Sequence, residues 1–374
     1  MNGRAALLCP VCRKPIVSTV AGAVRLAQRQ GGRQLPNVRK ALRVGAAHRQ
    51  RGDCIMTANP TTGITGIYTK RDPEFLQPGS AQWSKVITPS KVAAILGVSR
   101  YESAYRLWHR MQGLVDPEPP KEVFDIGHDL EAYAANRWRR RNLGWRLSEG
   151  EVQVHIDPDK FGFPCVATVD RRGVRGRSRR VVEFKSARHF NDLELFGDDL
   201  TGDCPEDYAA QVMTQMLFTG WTDLPGHLLV VGPYYNERIY EIEFDASTAA
   251  WILDEAQKFW GLLKSDKVPD LDNTVHTYSC IREMNPEIDA GATTVLDAAE
   301  ALQFVTARQE FDRAEENYQG AKNMLMKRME RDKRAEFGGV KIAHRQKSRG
   351  SVALHAAKGV TPEQIRFLNG DNQS

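Results

Sequence analysis

Three residues near the middle of the chain could act together on one substrate: Asp170, Glu183 and Lys185. In Val182-Glu183-Phe184-Lys185 the strand period of two sets Glu183 and Lys185 on one face and Phe184 on the other. Asp170 closes the apolar run 165–169, so a hairpin would bring its carboxylate beside Glu183. Two carboxylates with an ammonium next to them suit Mg²⁺-assisted phosphodiester hydrolysis. Mg²⁺ takes carboxylate oxygens, waters and a substrate phosphate. It makes a bound water nucleophilic and offsets charge at phosphorus. A lysine alongside can position that water and balance the phosphate. The same spacing also describes a cross-strand ion pair on an exposed sheet face.

Further polar residues are spaced to join this group. On a helix, Glu131 shares a side with Gly127, Ala135 and Trp138. Its small neighbours imply close approach to other backbone, where a carboxylate needs a partner. That partner is either an arginine or a metal. Asp207, Gln211 and Gln215 follow at helical spacing along one face, which suits orienting a ligand or a solvated face. Between Asp170 and Glu183 lie Arg171, Arg172, Arg175, Arg177, Arg179 and Arg180. So many like charges favour an anionic partner opposite, and phosphate contact is the expected role.

The elements that must hold these residues can be read from caps and periodicity. Thr88-Pro89 opens a short helix striped by Val92, Ile95 and Leu96 and stopped at Gly97. Helices follow at about 103–112 and 121–142, the second striped by Val123, Ile126, Leu130, Ala134 and Trp138. Alternation then changes to strands at Val152, Val154 and Ile156, at 165–169 and at 181–185, with 171–180 as an arginine-rich hairpin loop. A helix from Pro205 to about 218, strands at 227–231 and 238–244, and a helix at 247–264 complete the block. This order gives an α/β fold with a mixed sheet flanked by helices. Beyond Pro269 a long charged helix, 293–335, precedes a short β-like stretch and a helix after Thr361-Pro362.

Composition excludes several classes. With 41% apolar and 26% charged residues in 374, the chain is ordinary globular material. No run approaches the roughly 18 apolar residues that a membrane-spanning helix needs. Six scattered cysteines make no disulfide framework, so a reducing cytoplasm is expected. The net charge of +5 averages three regimes: +10 over residues 1–55, +7 over 85–190 and −15 over 191–290. In the first of these, Cys9-Pro-Val-Cys12 has half a zinc ribbon's spacing, with His48 and Cys54 the other nearby ligand types. Its arginine-rich, acid-poor composition also matches a transit peptide. The favoured reading is a disordered segment outside the working protein, with Met56 as the start.

Taken in order, Glu131 in Gly-x-x-x-Glu, Ala167-Thr168-Val169-Asp170, Glu183-Phe184-Lys185 and Gln211 in Tyr-Ala-Ala-Gln resemble the YqaJ-like viral recombinase family. These are lambda-type phage exonucleases of the PD-(D/E)XK nuclease fold. The segment from Ile87 to Gly97, followed by Tyr105-Arg106-Leu107-Trp108, resembles that family's opening, and the likeness spans about 85–272. It implies a restriction-endonuclease-like core with a mixed central sheet, preceded by a linker at 56–84 and followed by a helical extension at 273–374. It also implies an Mg²⁺-dependent exonuclease, for which Mn²⁺ could substitute. The enzyme would degrade one strand of linear duplex DNA from the 5′ end and leave a 3′ overhang for a single-strand annealing protein. Ring-shaped homo-trimers are common in the family, and a phage-encoded enzyme would act in the host cytoplasm.

By the same resemblance, Glu131, Asp170, Glu183 and Phe184 fall on metal-binding positions and Lys185 on the catalytic lysine. Gln211 and Gln215 would support phosphate or lysine placement, and Ser90 falls near a terminal-phosphate pocket. The family's proline before the aspartate is Val169 here, and its glycine after it is Arg171. Upstream of Ser90 the nearest cation is Lys85, which puts the 5′-phosphate contact in question. Two other readings stay open. One is a different nuclease of this fold, RecB-like, CRISPR-associated or a restriction-type endonuclease, although isolated Cys165, Cys204 and Cys280 argue against an iron–sulfur version. The other is an inactive DNA-binding recombination module, against which the intact Asp170, Glu183 and Lys185 speak.

Overall fold

The computed structural model describes residues 63–116, 122–193, 195–348, 350–357 and 359–370. The readings placed on Cys9, Cys12, His48, Cys54 and Met56, and on the side chain of Val123, lie outside the described residues. The chain divides into two compact units, one ending at Pro286 and one beginning at Glu287.

The first unit opens with strand β1 (Ile64–Thr69), in a stretch expected to be a linker. Its backbone is satisfied by antiparallel pairing with β3, Ile67 opposite Val154. Helices α1 (Ala81–Ser84), α2 (Pro89–Ile95) and α3 (Ala104–Met111) follow. Pro89 at the first helical position starts α2, and Ser103 caps α3 by accepting from Arg106 N. Lys91 of α2 is only 2% exposed. Its Nζ donates to the carbonyls of Trp83, Ser84 and Val86 at 2.8, 3.0 and 2.7 Å, closing the open end of α1. Burial lowers its pKa to about 7.

Next come α4 (Glu122–Arg141), β2 (Arg146–Leu147), β3 (Val152–Ile156), α5 (Pro158–Phe161) and β4 (Cys165–Val169). Strands β5 (Arg171–Arg175) and β6 (Ser178–Ser186) form a hairpin where an arginine-rich loop was expected. The turn shrinks to Gly176 and Arg177, with Gly176 in the left-handed region at φ 60°. The backbone ladder accepts any side chain that can reach solvent or a ring, so the arginines do not break the strands. The rest of the unit is α6 (Phe190–Leu193), α7 (Glu206–Thr219), β7 (Gly226–Val231), β8 (Glu237–Ile242), α8 (Ala246–Lys264) and α9 (Val275–Met284).

Two sheets result. One has the order β1-β3-β4 and the other β2-β5-β6-β7-β8. In the second, β6 and β7 run parallel and the other pairs antiparallel, so the mixed sheet is observed. Central β6 is buried from Arg180 to Phe184, with apolar cores on both sides. On one side Val181, Leu228 and Val230 pack with Ala210, Met213 and Ile252. On the other Val182, Phe184 and Leu229 pack with Ala134, Ala135 and Trp138 of α4. Ile126, expected in the α4 stripe, is 51% exposed, and Gly127 faces open space rather than a close neighbour. The first unit also runs past the expected boundary at 272. Thr277 on α9 donates to Ser103 at 2.8 Å, and Glu283 pairs with Arg106 at 2.6 Å.

In the second unit α10 (Ala298–Met329) is shorter than the expected 293–335, because Asp297 and Glu300 form a capping box at its start. A three-stranded antiparallel sheet of β9 (Arg334–Phe337), β10 (Val340–Ser348) and β11 (Ser351–Ala356) precedes α11 (Pro362–Leu368).

Candidate active site

The expected strand phase is realised in β6. Glu183 and Lys185 face α7, and Lys185 Nζ donates to Glu183 Oε1 at 2.6 Å. Gln211 and Gln215, one turn apart on α7, both reach the same carboxylate: Gln211 Nε2 donates to Oε1 at 2.6 Å and Gln215 Nε2 to Oε2 at 2.7 Å. Glu183 is 2% exposed, so these donors hold a buried charge in one orientation. Asp170 occupies the bend where β4 passes into β5, and its Oδ2 accepts from Phe184 N at 2.7 Å. Asp207, expected on the face of the two glutamines, pairs with Arg100 at 2.8 Å.

Charge is concentrated here. Burial pushes the Asp170 carboxyl well above its usual range, Glu183 and Glu131 push it further, and Lys185 opposes them. Burial alone would lower Lys185, but Glu183 and Asp170 outweigh it and hold the ammonium above its ordinary value. Lys185 Nζ also lies 5.4 Å from the ring centre of Tyr208, and the Arg100 guanidinium lies 4.7 Å from the same centre.

Three carboxylates, from Glu131, Glu151 and Asp170, bring ligand atoms within 4.8 Å of one another. Glu131 comes from α4, Glu151 from the residue before β3, and Asp170 from the end of β4. Two of them are partly neutralised: Arg171 meets Glu131 Oε2 at 3.1 Å and Lys70 meets Glu151 Oε1 at 3.2 Å. Glu151 Oε2 is buried without a hydrogen-bond partner. An orphaned carboxylate oxygen aimed among other acids is costly unless a cation joins it. An all-oxygen donor set of this kind suits a hard divalent ion. The fit is therefore to a divalent cation, with Glu131 and Asp170 as expected and Glu151 in addition.

The structure gathers Glu131, Asp170, Phe184, Glu183, Lys185, Gln211, Gln215 and Arg171. Arg171, at the position where the family carries glycine, is used to pair Glu131. The other arginines divide. Arg180 is buried beside His227 and 4.8 Å from the Trp145 ring centre, while Arg175 stacks on the same ring at 4.7 Å from the hairpin surface. Arg177 is exposed, and Arg172 and Arg179 are half-buried and repel each other. Ser90 and Lys85 are exposed, with Ser90 Oγ 3.0 Å from Thr88 Oγ1.

Glu151 was missed, and its signal lies in strand register. With Val152 opposite Val169 and Gln153 opposite Thr168, the next step outward sets Glu151 opposite Asp170. The alternation Glu151-Gln153-His155 reads as a solvent face, yet Glu151 and Gln153 are buried. Gln153 donates to Thr168 Oγ1 at 3.0 Å and to Leu76 O at 3.0 Å.

Two solved structures are similar to this chain: an alkaline exonuclease, LHK-Exo, from Laribacter hongkongensis, and the same protein in complex with dAMP. Their sequence identities are 20% and 21% and their TM-scores 0.38 and 0.39, and each match covers 50% of this chain and 91% of the other. No curated protein sequence matches the chain. Over residues 81–222 the sequence matches the model of the YqaJ-like viral recombinase domain, a span that holds every acid, lysine and glutamine of the site. The chain is thus similar, over residues 81–222, to the YqaJ-like viral recombinase domain.

Proposed function

We propose that this protein is an Mg²⁺-dependent exonuclease that degrades one strand of linear duplex DNA from the 5′ end and leaves a 3′ single-stranded overhang. The observation that carries the reading is the convergence of Glu131, Glu151 and Asp170 within 4.8 Å, beside the Lys185–Glu183 pair. A bound divalent cation would supply a more acidic water and neutralise charge on the phosphate. Glu131, Glu151 and Asp170 would hold it, with Phe184 N fixing the orientation of Asp170. Lys185 stays an ammonium in the grip of Glu183, and so offers positive charge to the phosphate and a hydrogen bond to the attacking water. Gln211 and Gln215 hold the Glu183 carboxylate in one orientation, and Glu183 and Phe184 would join the metal-binding positions, as the resemblance implies. In the same reading, the overhang passes to a single-strand annealing protein and the enzyme assembles as a homo-trimer around DNA.

The test is a set of linear duplexes with a 5′-phosphate or a 5′-hydroxyl, labelled at either end and incubated with and without Mg²⁺. The expected result is Mg²⁺-dependent loss of the 5′-labelled strand first, retention of the complementary strand, and no cleavage by Lys185→Ala. Efficient cutting of closed circular DNA would replace the exonuclease with an endonuclease. DNA binding without cleavage in any divalent metal would leave a binding module.

A further inference from the structure

Strands β6 and β7 run parallel and end side by side, with Ser186 opposite Val231. Open α/β sheets bind ligands just outside the carboxyl ends of such strands. A cavity of about 520 Å³ lies there, within the range that small-molecule sites occupy. Ile126 and Leu130 of α4 form one wall, Tyr234 and Tyr235 another, and Arg188 is exposed at the rim. No carboxylate occurs among its described lining residues. The cavity adjoins the candidate active site along two elements: Ser186 follows Lys185 on β6, and Leu130 precedes Glu131 on α4. The proposed reaction uses none of these lining side chains.

The turn that carries the tyrosines is under strain. Asn236 N donates to Pro233 O at 3.3 Å, and Gly232 N donates to Asn236 O at 2.8 Å. Both residues between Pro233 and Asn236 are in the left-handed region, Tyr234 at φ 56° and Tyr235 at φ 58°. A hairpin turn with two positive φ angles ordinarily takes Asn-Gly, and bulky side chains there are strained. The strain is not repaid by burial, since Tyr234 is 89% exposed and Tyr235 65% exposed. Tyr235 meets Tyr133 of α4, with ring centres 5.4 Å apart. Two phenol rings held open beside an apolar wall offer faces to a flat aromatic ligand, and the guanidinium suits an anion attached to it. A nucleotide has both parts: every base has a face to stack, and its phosphate carries the charge. We infer that Tyr234, Tyr235 and Arg188 form a subsite for one unpaired nucleotide of the DNA substrate, with the base against the tyrosines and its phosphate on the arginine. This rests on the nuclease reading and adds to it a place for a base taken out of the duplex near the cation site.

The test is fluorescence anisotropy of a short labelled dT strand and of an abasic strand with the same phosphates, both in chelator so that neither is cut. The duplex cleavage assay in Mg²⁺ runs beside it. The wild type is expected to bind the dT strand about tenfold more tightly than the abasic one. Tyr234→Asn with Tyr235→Gly is expected to remove that preference and to leave affinity for the abasic strand unchanged. Because Asn-Gly suits the turn, the double variant should melt at or above the wild-type temperature, which separates lost binding from lost fold. Arg188→Ala should weaken both strands alike, several-fold. A wild type that binds the two strands equally would overturn the inference, whether or not it cleaves duplex DNA. So would a double variant that still prefers dT, which would leave the tyrosines to a protein contact. A double variant that melts well below the wild type would assign the tyrosines to stability and overturn it as well. If the base preference is present and is lost in the double variant while Mg²⁺-dependent cleavage is absent, the nuclease reading fails and the nucleotide subsite stands.

Discussion

Asp170 stands where opposing influences meet: burial, Glu183 and Glu131 disfavour its charge, while Lys185 and the hydrogen bond from Phe184 N favour it. A site built this way is destabilising until its cation arrives, the usual cost of a functional cluster. Asp170→Asn keeps an acceptor for Phe184 N while removing one charge from the group. In chelator, the variant is expected to be more stable than the wild type by on the order of 1 kcal/mol. Mg²⁺ should raise the melting temperature of the wild type and leave the variant nearly unmoved. Thermal scans of both proteins with and without Mg²⁺ check this; an equal response to Mg²⁺ would remove Asp170 from the cation site. At this scale much was legible in the sequence. Glu183 and Lys185 are related by the period of one strand, and Gln211 and Gln215 by one helical turn. Each relation is local and survives whatever the rest of the chain does. Glu151 was not legible, because its position depends on how β3 aligns with β4, and a one-residue slip would turn it to the other face.

The β5–β6 hairpin shows how an element can hide behind its composition. Six arginines between residues 171 and 180 offer no apolar alternation, so the strands were invisible to periodicity. What forms them is the ladder from Arg171 opposite Val182 to Arg175 opposite Ser178, with Trp145 giving two guanidinium groups a ring to lie on. The single expected role therefore splits by position. Arg175 and Arg177 are exposed at the hairpin end, while Arg180 is buried with its Nε unpaired. Arg175→Ala with Arg177→Ala should weaken duplex binding alike for all sequences and reduce the salt slope of affinity by about 2. Arg180→Ala should act instead on folding, losing about 1–3 kcal/mol through its packing on Trp145 and its contact with His227. Binding measured over a salt series, together with urea unfolding of each variant, separates the two. A normal salt slope in the double variant would mean that the hairpin end does not touch phosphate. Strand β1 and helix α9 were missed for a related reason: each is short and polar-flanked, and its place is decided by long-range partners, β3 for one and α3 for the other.

At the scale of the whole molecule, the two units differ in what holds them together. The first has a buried core on both faces of its five-stranded sheet and contains every residue of the site. In the second, among the described residues, only Met329 and Ala343 are buried apolar side chains. A unit with so little interior gains little from folding alone. The charge regimes divide the chain along a related line. The +7 over residues 85–190 surrounds the acids, Lys185 and the arginine hairpin, while most of the −15 over 191–290 lies on later elements of the first unit. On the proposed function, a positive stretch would hold phosphates and a negative one repel them, as suits an enzyme that must grip DNA and still advance. Ending the chain at Pro286 is therefore expected to leave the nuclease unit folded, with a melting temperature within a few degrees of the full chain. Mg²⁺-dependent cleavage of short linear duplexes should persist. The measurements are a thermal scan and the end-labelled cleavage assay of the shortened chain. Loss of cleavage with the fold intact would show that the second unit takes part in the reaction, and an unfolded product would show that the first unit depends on it for stability.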